Sequence, residues 1–162
     1  MAGMFSTKGR YALRVMCDLA QHPGWVSLGD VSKRQNISRK YLEQVVALLH
    51  KAGYVESLRG KGGGYRLTRK PEDYTLGQIL RAAEGSLAPV SCLDCANDEV
   101  CPIIDTCPTV TMWRDLGAVT AGYLDSKTLA DIALDETRTA GLTDWHPKGS
   151  RSGQAGRRAT GE

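Results

Sequence analysis

The sequence predicts a mainly α-helical fold carrying one small β-wing. Three observations predict it. Two short amphipathic segments meet at a two-residue turn within residues 27–52, and two alternating strands then flank the glycine-rich tip "RGKGGG" at 59–64. Farther on, an apolar stripe recurs over residues 109–124. Together these describe a winged helix-turn-helix followed by a long C-terminal helix. The implied layout is a winged helix-turn-helix at 1–84, a cysteine-rich loop at 85–107, a pairing helix with a short helix after it at 108–136, and a disordered polar tail at 137–162.

The first helix is expected over Arg10–Gln21, with Leu13, Met16, Cys17 and Ala20 on one side. Cys17 lies on that stripe and reads as a buried, inert thiol. Ser27 followed by Asp30 has the spacing of a capping box, so a short helix is expected to run to Gln35. Asn36-Ile37 makes the turn, and Ser38 caps a second helix running to about Ala52. That helix places Leu42, Val45, Val46 and Leu49 inward, and Arg39, Lys40, Glu43, Gln44 and Ala47 outward.

Gly53 ends the helix, and residues 54–58 and 65–67 alternate as strands. Arg59 and Lys61 stand at the tip between them. A phosphate-cradling loop is excluded there: no Ser or Thr follows Lys61, no helix opens after Gly64, and the third glycine of the dinucleotide pattern is missing. Thr75–Glu84 is expected as a helix closed by Gly85, with Leu76, Ile79 and Leu80 inward. The long helix over Thr109–Leu124 carries Val110, Trp113, Leu116, Val119 or Thr120, and Tyr123 along one side, and Ser126 is expected to cap a shorter helix ending near Leu134. An apolar stripe of that length needs a partner surface, and pairing with a second copy is favoured.

Charge supports a polyanion-binding head. Residues 1–70 hold thirteen lysines and arginines against four acidic residues, whereas residues 71–162 hold eight against fourteen. Lys and Arg suit phosphate and guanine, Gln suits adenine, and Glu accepts from the cytosine amino group. The outward face of the second helix, with Ser38, Arg39, Lys40, Tyr41, Glu43 and Gln44, is therefore the candidate reader of double-stranded DNA, and Arg59 and Lys61 are its candidate phosphate or minor-groove contacts. No apolar run resembles a signal peptide or membrane span, so a cytoplasmic location is expected. No paired acid and base, nucleophile motif or nucleotide loop points to an enzyme or a small-molecule substrate.

Four of the five cysteines, Cys92, Cys95, Cys101 and Cys107, fall in C-x2-C-x5-C-x5-C spacing. Thiolates suit zinc or an iron–sulfur cluster. Cysteine-only zinc sites usually pair two C-x2-C knuckles, and this loop has one, so spacing favours the cluster. The alternatives are a structural zinc, or no metal with action by thiol redox or protein–protein contact.

The segments "FSTKGRYALRVMCDLA" and "ISRKYLEQVVALLHKAGYVESLRGKGGGYRL", with the cysteine loop and "MWRDL" after it, resemble the IscR-type (Rrf2) family of bacterial winged-helix transcription regulators. The resemblance covers about residues 4–135. It implies a homodimer joined through the helix after Cys107 and a palindromic operator. It places Tyr41, Glu43 and Gln44 on the recognition helix, with Glu43 reading bases in some members and Arg59 entering the minor groove. It further implies an iron–sulfur cluster, 2Fe–2S in preference to 4Fe–4S, held by three cysteines and altering which DNA sites are bound. The IscR cysteine pattern maps onto Cys95, Cys101 and Cys107, but Val110 stands where that pattern has a histidine ligand. A nitric-oxide-responsive branch uses an aspartate where this chain has Arg10. A third pattern, C-x8-C-x5-C, selects Cys92, Cys101 and Cys107. Both cysteine patterns are present and both other ligands are missing, so the expectation is a site of four thiolates. His22 and His50 read as surface residues.

Overall fold

A computed structural model describes residues 5–94 and 101–134. Cys95, Asp98, Glu99 and the tail expected at 137–162 lie outside the described residues. The elements are α1 (Thr7–Gln21), α2 (Leu28–Gln35), α3 (Arg39–Lys51), β1 (Val55–Leu58), β2 (Gly64–Leu67), α4 (Leu76–Glu84), α5 (Val110–Asp125) and α6 (Leu129–Ala133). The expected architecture, mostly helical with a two-stranded antiparallel wing, is the one observed.

Helix α1 is the post around which the head is built. Its buried face, Ala12, Val15, Met16 and Leu19, joins Val31 of α2, Leu42, Val45, Val46 and Leu49 of α3, Ile79 of α4 and Leu129 of α6 in one core. Cys17 is half-buried at the margin of that core rather than inside it. The helix also starts three residues earlier than expected, because Ser6 caps it and a distant carboxylate completes the cap. Glu84 Oε1 accepts from Ser6 N (2.8 Å), Ser6 Oγ (2.9 Å) and Gly9 N (3.1 Å). Gly9 has no room for a Cβ beside that carboxylate.

The helix-turn-helix follows the sequence closely. Ser27 caps α2, Asn36 turns the chain in the left-handed region (φ 50°), and Ser38 caps α3. Burying each of the four inward residues of α3 is worth about 1.5–3 kcal/mol. The Ser38 cap is worth about 1 kcal/mol. Packing therefore holds α3 in place, and the cap sets where it starts.

In the wing, β1 and β2 pair from Val55 opposite Leu67 to Leu58 opposite Gly64. Val26 adds a third edge the sequence did not announce, bonding Tyr65 through both backbone groups (3.0 and 2.8 Å). Tyr74, fully buried, fastens the wing base. Its hydroxyl accepts from Arg69 N (2.8 Å) and donates to the Tyr54 carbonyl (2.9 Å).

Two details of the C-terminal part differ from expectation. Thr128, not Ser126, caps α6, in a capping box with Asp131, while Ser126 ends α5 and donates to the Tyr123 carbonyl. The apolar stripe of α5 is also two stripes. Leu124 packs on Leu76 and Leu80, and Trp113, Gly117 and Ala121 line a groove with residues 85–89. Met112, Leu116, Val119 and Tyr123 point away, with Val119 70% and Tyr123 59% exposed. Arg81 of α4 grips Asp125 at the end of α5 with two 2.7 Å bonds.

Candidate nucleic-acid interface and cysteine cavity

The exposed face of α3 presents Arg39, Lys40, Glu43, Gln44 and Ala47 together. Arg39 Nε lies 3.3 Å from Glu43 Oε1, one helical turn on. Ser38 is exposed, and its Oγ accepts from Tyr41 N (3.4 Å), which leaves its hydroxyl proton free for an outside acceptor. Tyr41 differs from the other candidates. It is half-buried, with its ring edge-on to Tyr11 at 5.3 Å. Arg59 and Lys61 are both exposed at the wing tip, where Gly60 (φ 99°) and Gly62 (φ 80°) take conformations that L side chains avoid. Between α3 and the wing runs an open groove of about 490 Å³, lined by Glu43, Ala47, His50, Lys51, Ser57 and Tyr65.

The turn leading into α3 is braced from α1 by residues that sequence reading passed over. Asp18, 1% exposed, accepts from Arg34 Nη2 (2.6 Å), Arg34 Nε (3.0 Å) and Gln35 Nε2 (2.9 Å). Arg14 donates to Gln35 Oε1 (3.1 Å) and to its carbonyl. Burial alone pushes the Asp18 carboxyl up, but the hydrogen bonds and charge around it, chiefly from Arg34, hold it below its ordinary value. A signal existed: Asp18 follows Val15 by three residues, which puts a charge on the apolar face of a helix.

Three of the four loop cysteines border one cavity. Cys92, Cys101 and Cys107 line one cavity of about 70 Å³ at the foot of α5, walled by Leu93, Ile104, Val110 and Trp113. Cys95 lies outside the described residues. Among the described residues, no three His, Cys, Asp or Glu side chains converge tightly enough for one metal ion. Sulfur donors nevertheless suit a soft metal or an iron–sulfur cluster better than an oxygen-seeking cation. Thr109, which no sequence signal marked, lies with Oγ1 3.3 Å from Cys107 Sγ. That hydroxyl, with the backbone N–H groups of Thr109 and Val110, holds the Cys107 thiol below its ordinary value. Hydrogen bonds of this kind favour the thiolate form, which is the form that binds metal.

A helix-turn-helix whose second helix exposes Arg39, Lys40, Glu43 and Gln44, a wing with Arg59 and Lys61 at its tip, and a cysteine loop together describe a winged-helix DNA-binding regulator. The Rrf2 family model, described as "Iron-dependent Transcriptional regulator", matches residues 5–135, and the chain belongs to that family. The HTH-type transcriptional regulator IscR of Aliivibrio salmonicida is 42% identical over 132 residues, spanning 80% of this chain and 77% of that protein. Protein rrf2 of Nitratidesulfovibrio vulgaris is 39% identical over 132 residues, 80% of this chain and 87% of its own. Among solved structures, CymR, the global cysteine regulator of B. subtilis, superposes with a TM-score of 0.67 at 37% identity, covering 83% of this chain and 98% of that one. T. potens IscR superposes at 0.61 with 35% identity, covering 88% and 91%. The protein is thus a DNA-binding transcriptional regulator of the Rrf2/IscR type and not an enzyme. No helix among the described residues is long and apolar enough to cross a membrane.

Proposed function

We propose that the protein is a homodimeric regulator whose operator binding is governed by an iron–sulfur cluster, 2Fe–2S in preference to 4Fe–4S, gripped by Cys92, Cys101 and Cys107 with Cys95 as the fourth sulfur. The observation that supports this reading is that three loop cysteines line one apolar-walled cavity at the start of α5. Each head docks α3 in the major groove through Ser38, Arg39, Lys40, Tyr41, Glu43 and Gln44, and the wing brings Arg59 and Lys61 to phosphates or the minor groove. The outward stripe of α5 meets its copy, which places two heads on a palindromic site.

When bound, such a cluster supplies a centre that oxygen, nitric oxide or iron shortage destroys. The chain's own residues convert that loss into a change at the DNA. The loop carries Asp94, Asp98, Glu99 and Asp105, so tethering or releasing it alters both its repulsion from DNA phosphate and the spacing of the two heads. Linkage makes the effect reciprocal: whatever the cluster does to operator affinity, the operator does to cluster affinity.

Anaerobic purification with iron and sulfide analysis and a visible spectrum tests the cofactor. A coloured protein containing iron and sulfide is expected, and Cys92→Ala and Cys95→Ala should each lower bound iron. Colourless protein holding zinc would replace the cluster with the alternative metal. Full iron content in either variant would refute four-thiolate ligation. Apo and loaded protein should differ in operator affinity, and superimposable binding curves would remove the control mechanism.

A further inference from the structure

We infer that Arg39 is a specificity-determining residue that works jointly with Glu43: the two form one charge-neutral reading unit for neighbouring guanine and cytosine, and Glu43 is tolerated at the DNA because Arg39 accompanies it. The inference rests on the α3 docking proposed above. Both side chains are open to solvent, 72% and 55% exposed, on the first turns of α3. Unlike Asp18–Arg34, Glu56–Arg66 and Arg81–Asp125, this ion pair joins no two elements. An exposed pair within one helix contributes little to the fold. Its place, on the face that enters the groove, gives it another use.

A carboxylate brought into the major groove approaches two rows of phosphates, so Glu43 alone is a liability there. Lys40 is adjacent in sequence, but the partner Glu43 takes is Arg39. The closest approach is through Nε, at 3.3 Å, and the planar Nη1/Nη2 fork has the geometry to meet the O6 and N7 acceptors of guanine. The carboxylate can accept from a neighbouring cytosine N4 amino group. Lysine in place of Arg39 would supply the charge without the fork.

The full chain and the variants Arg39→Ala, Arg39→Lys, Glu43→Ala and Arg39→Ala/Glu43→Ala are titrated with the duplex that the wild type selects from a randomised double-stranded library. The same duplex is then used with each G·C pair changed in turn to A·T. Arg39→Ala should weaken binding about tenfold or more, the scale of one bidentate base contact. Glu43→Ala should weaken binding when Arg39 is present and strengthen it when Arg39 is absent. Arg39→Lys should keep salt-dependent affinity while losing discrimination at the G·C pair. Thermal midpoints should stay together across the series, since neither side chain is buried. Independent multiplication of the two alanine effects, or wild-type discrimination by Arg39→Lys, would overturn the joint unit. Gln44→Ala separates the two levels. If it also leaves affinity and base preference untouched, the docking of α3 falls; if it weakens binding while Arg39 and Glu43 act independently, the joint unit alone falls.

Discussion

Asp18 is the one charged side chain buried among the described residues, and it is held by a forked bond to Arg34 and a third bond to Gln35. Arg34 is 34% exposed. Exposed ion pairs contribute about 0–1 kcal/mol, and breaking a fully buried one costs about 3–5 kcal/mol. Asp18→Asn belongs between them, at about 2 kcal/mol, because a freed Arg34 can turn to water. Acid titrates the same bond. The folded carboxyl sits below its unfolded value, so its contribution is complete above about pH 4 and is lost as pH falls through the folded value. Urea unfolding of the wild type should therefore weaken on acidification below about pH 4 by more than that of Asp18→Asn, and parallel curves would show that the bond contributes nothing.

At the scale of elements, α3 was legible because its core comes from a single periodicity: Leu42, Val45, Val46 and Leu49 are all buried, and Arg39, Lys40, Glu43, Gln44 and Ala47 are all exposed. Devices that join distant segments were not legible. The α1 cap borrows Glu84 from 78 residues away, and the third edge of the wing is the single residue Val26. Cysteine spacing marked the loop, and one of the patterns it fits, C-x8-C-x5-C, selects Cys92, Cys101 and Cys107, which line one cavity, but spacing carries no information on Thr109 beside Cys107. Tyr74 went unread for the same reason, since its buried hydroxyl serves residues on two sides of the wing base. Tyr74→Phe leaves the Arg69 N–H without its partner and the Tyr54 carbonyl with the Thr68 N–H alone, a loss of about 1–3 kcal/mol. The denaturation midpoint should fall with an unchanged slope.

For the whole molecule, the decisive feature is that α5 has two apolar faces, and a single apolar stripe in the sequence hid that division. Its inner face meets α4 and the segment before the cysteines, while Met112, Leu116, Val119 and Tyr123 are left open. Val119→Asp places a charge in the middle of that open stripe without touching the core. Sedimentation should show a dimeric wild type and a monomeric variant, with operator affinity reduced because two linked heads become one. A wild-type monomer at micromolar concentration would end the pairing proposal.

The Arg81–Asp125 grip fastens α5 at the end away from the cysteines, so any tilt of the helix would have its fulcrum there. Sixteen residues at 1.5 Å each give an arm of about 24 Å. A tilt of about 5° about that fulcrum carries the cysteine end through about 2 Å. A displacement too small to repack the core at Leu124 is therefore about half an atomic diameter at the cysteine end of the helix.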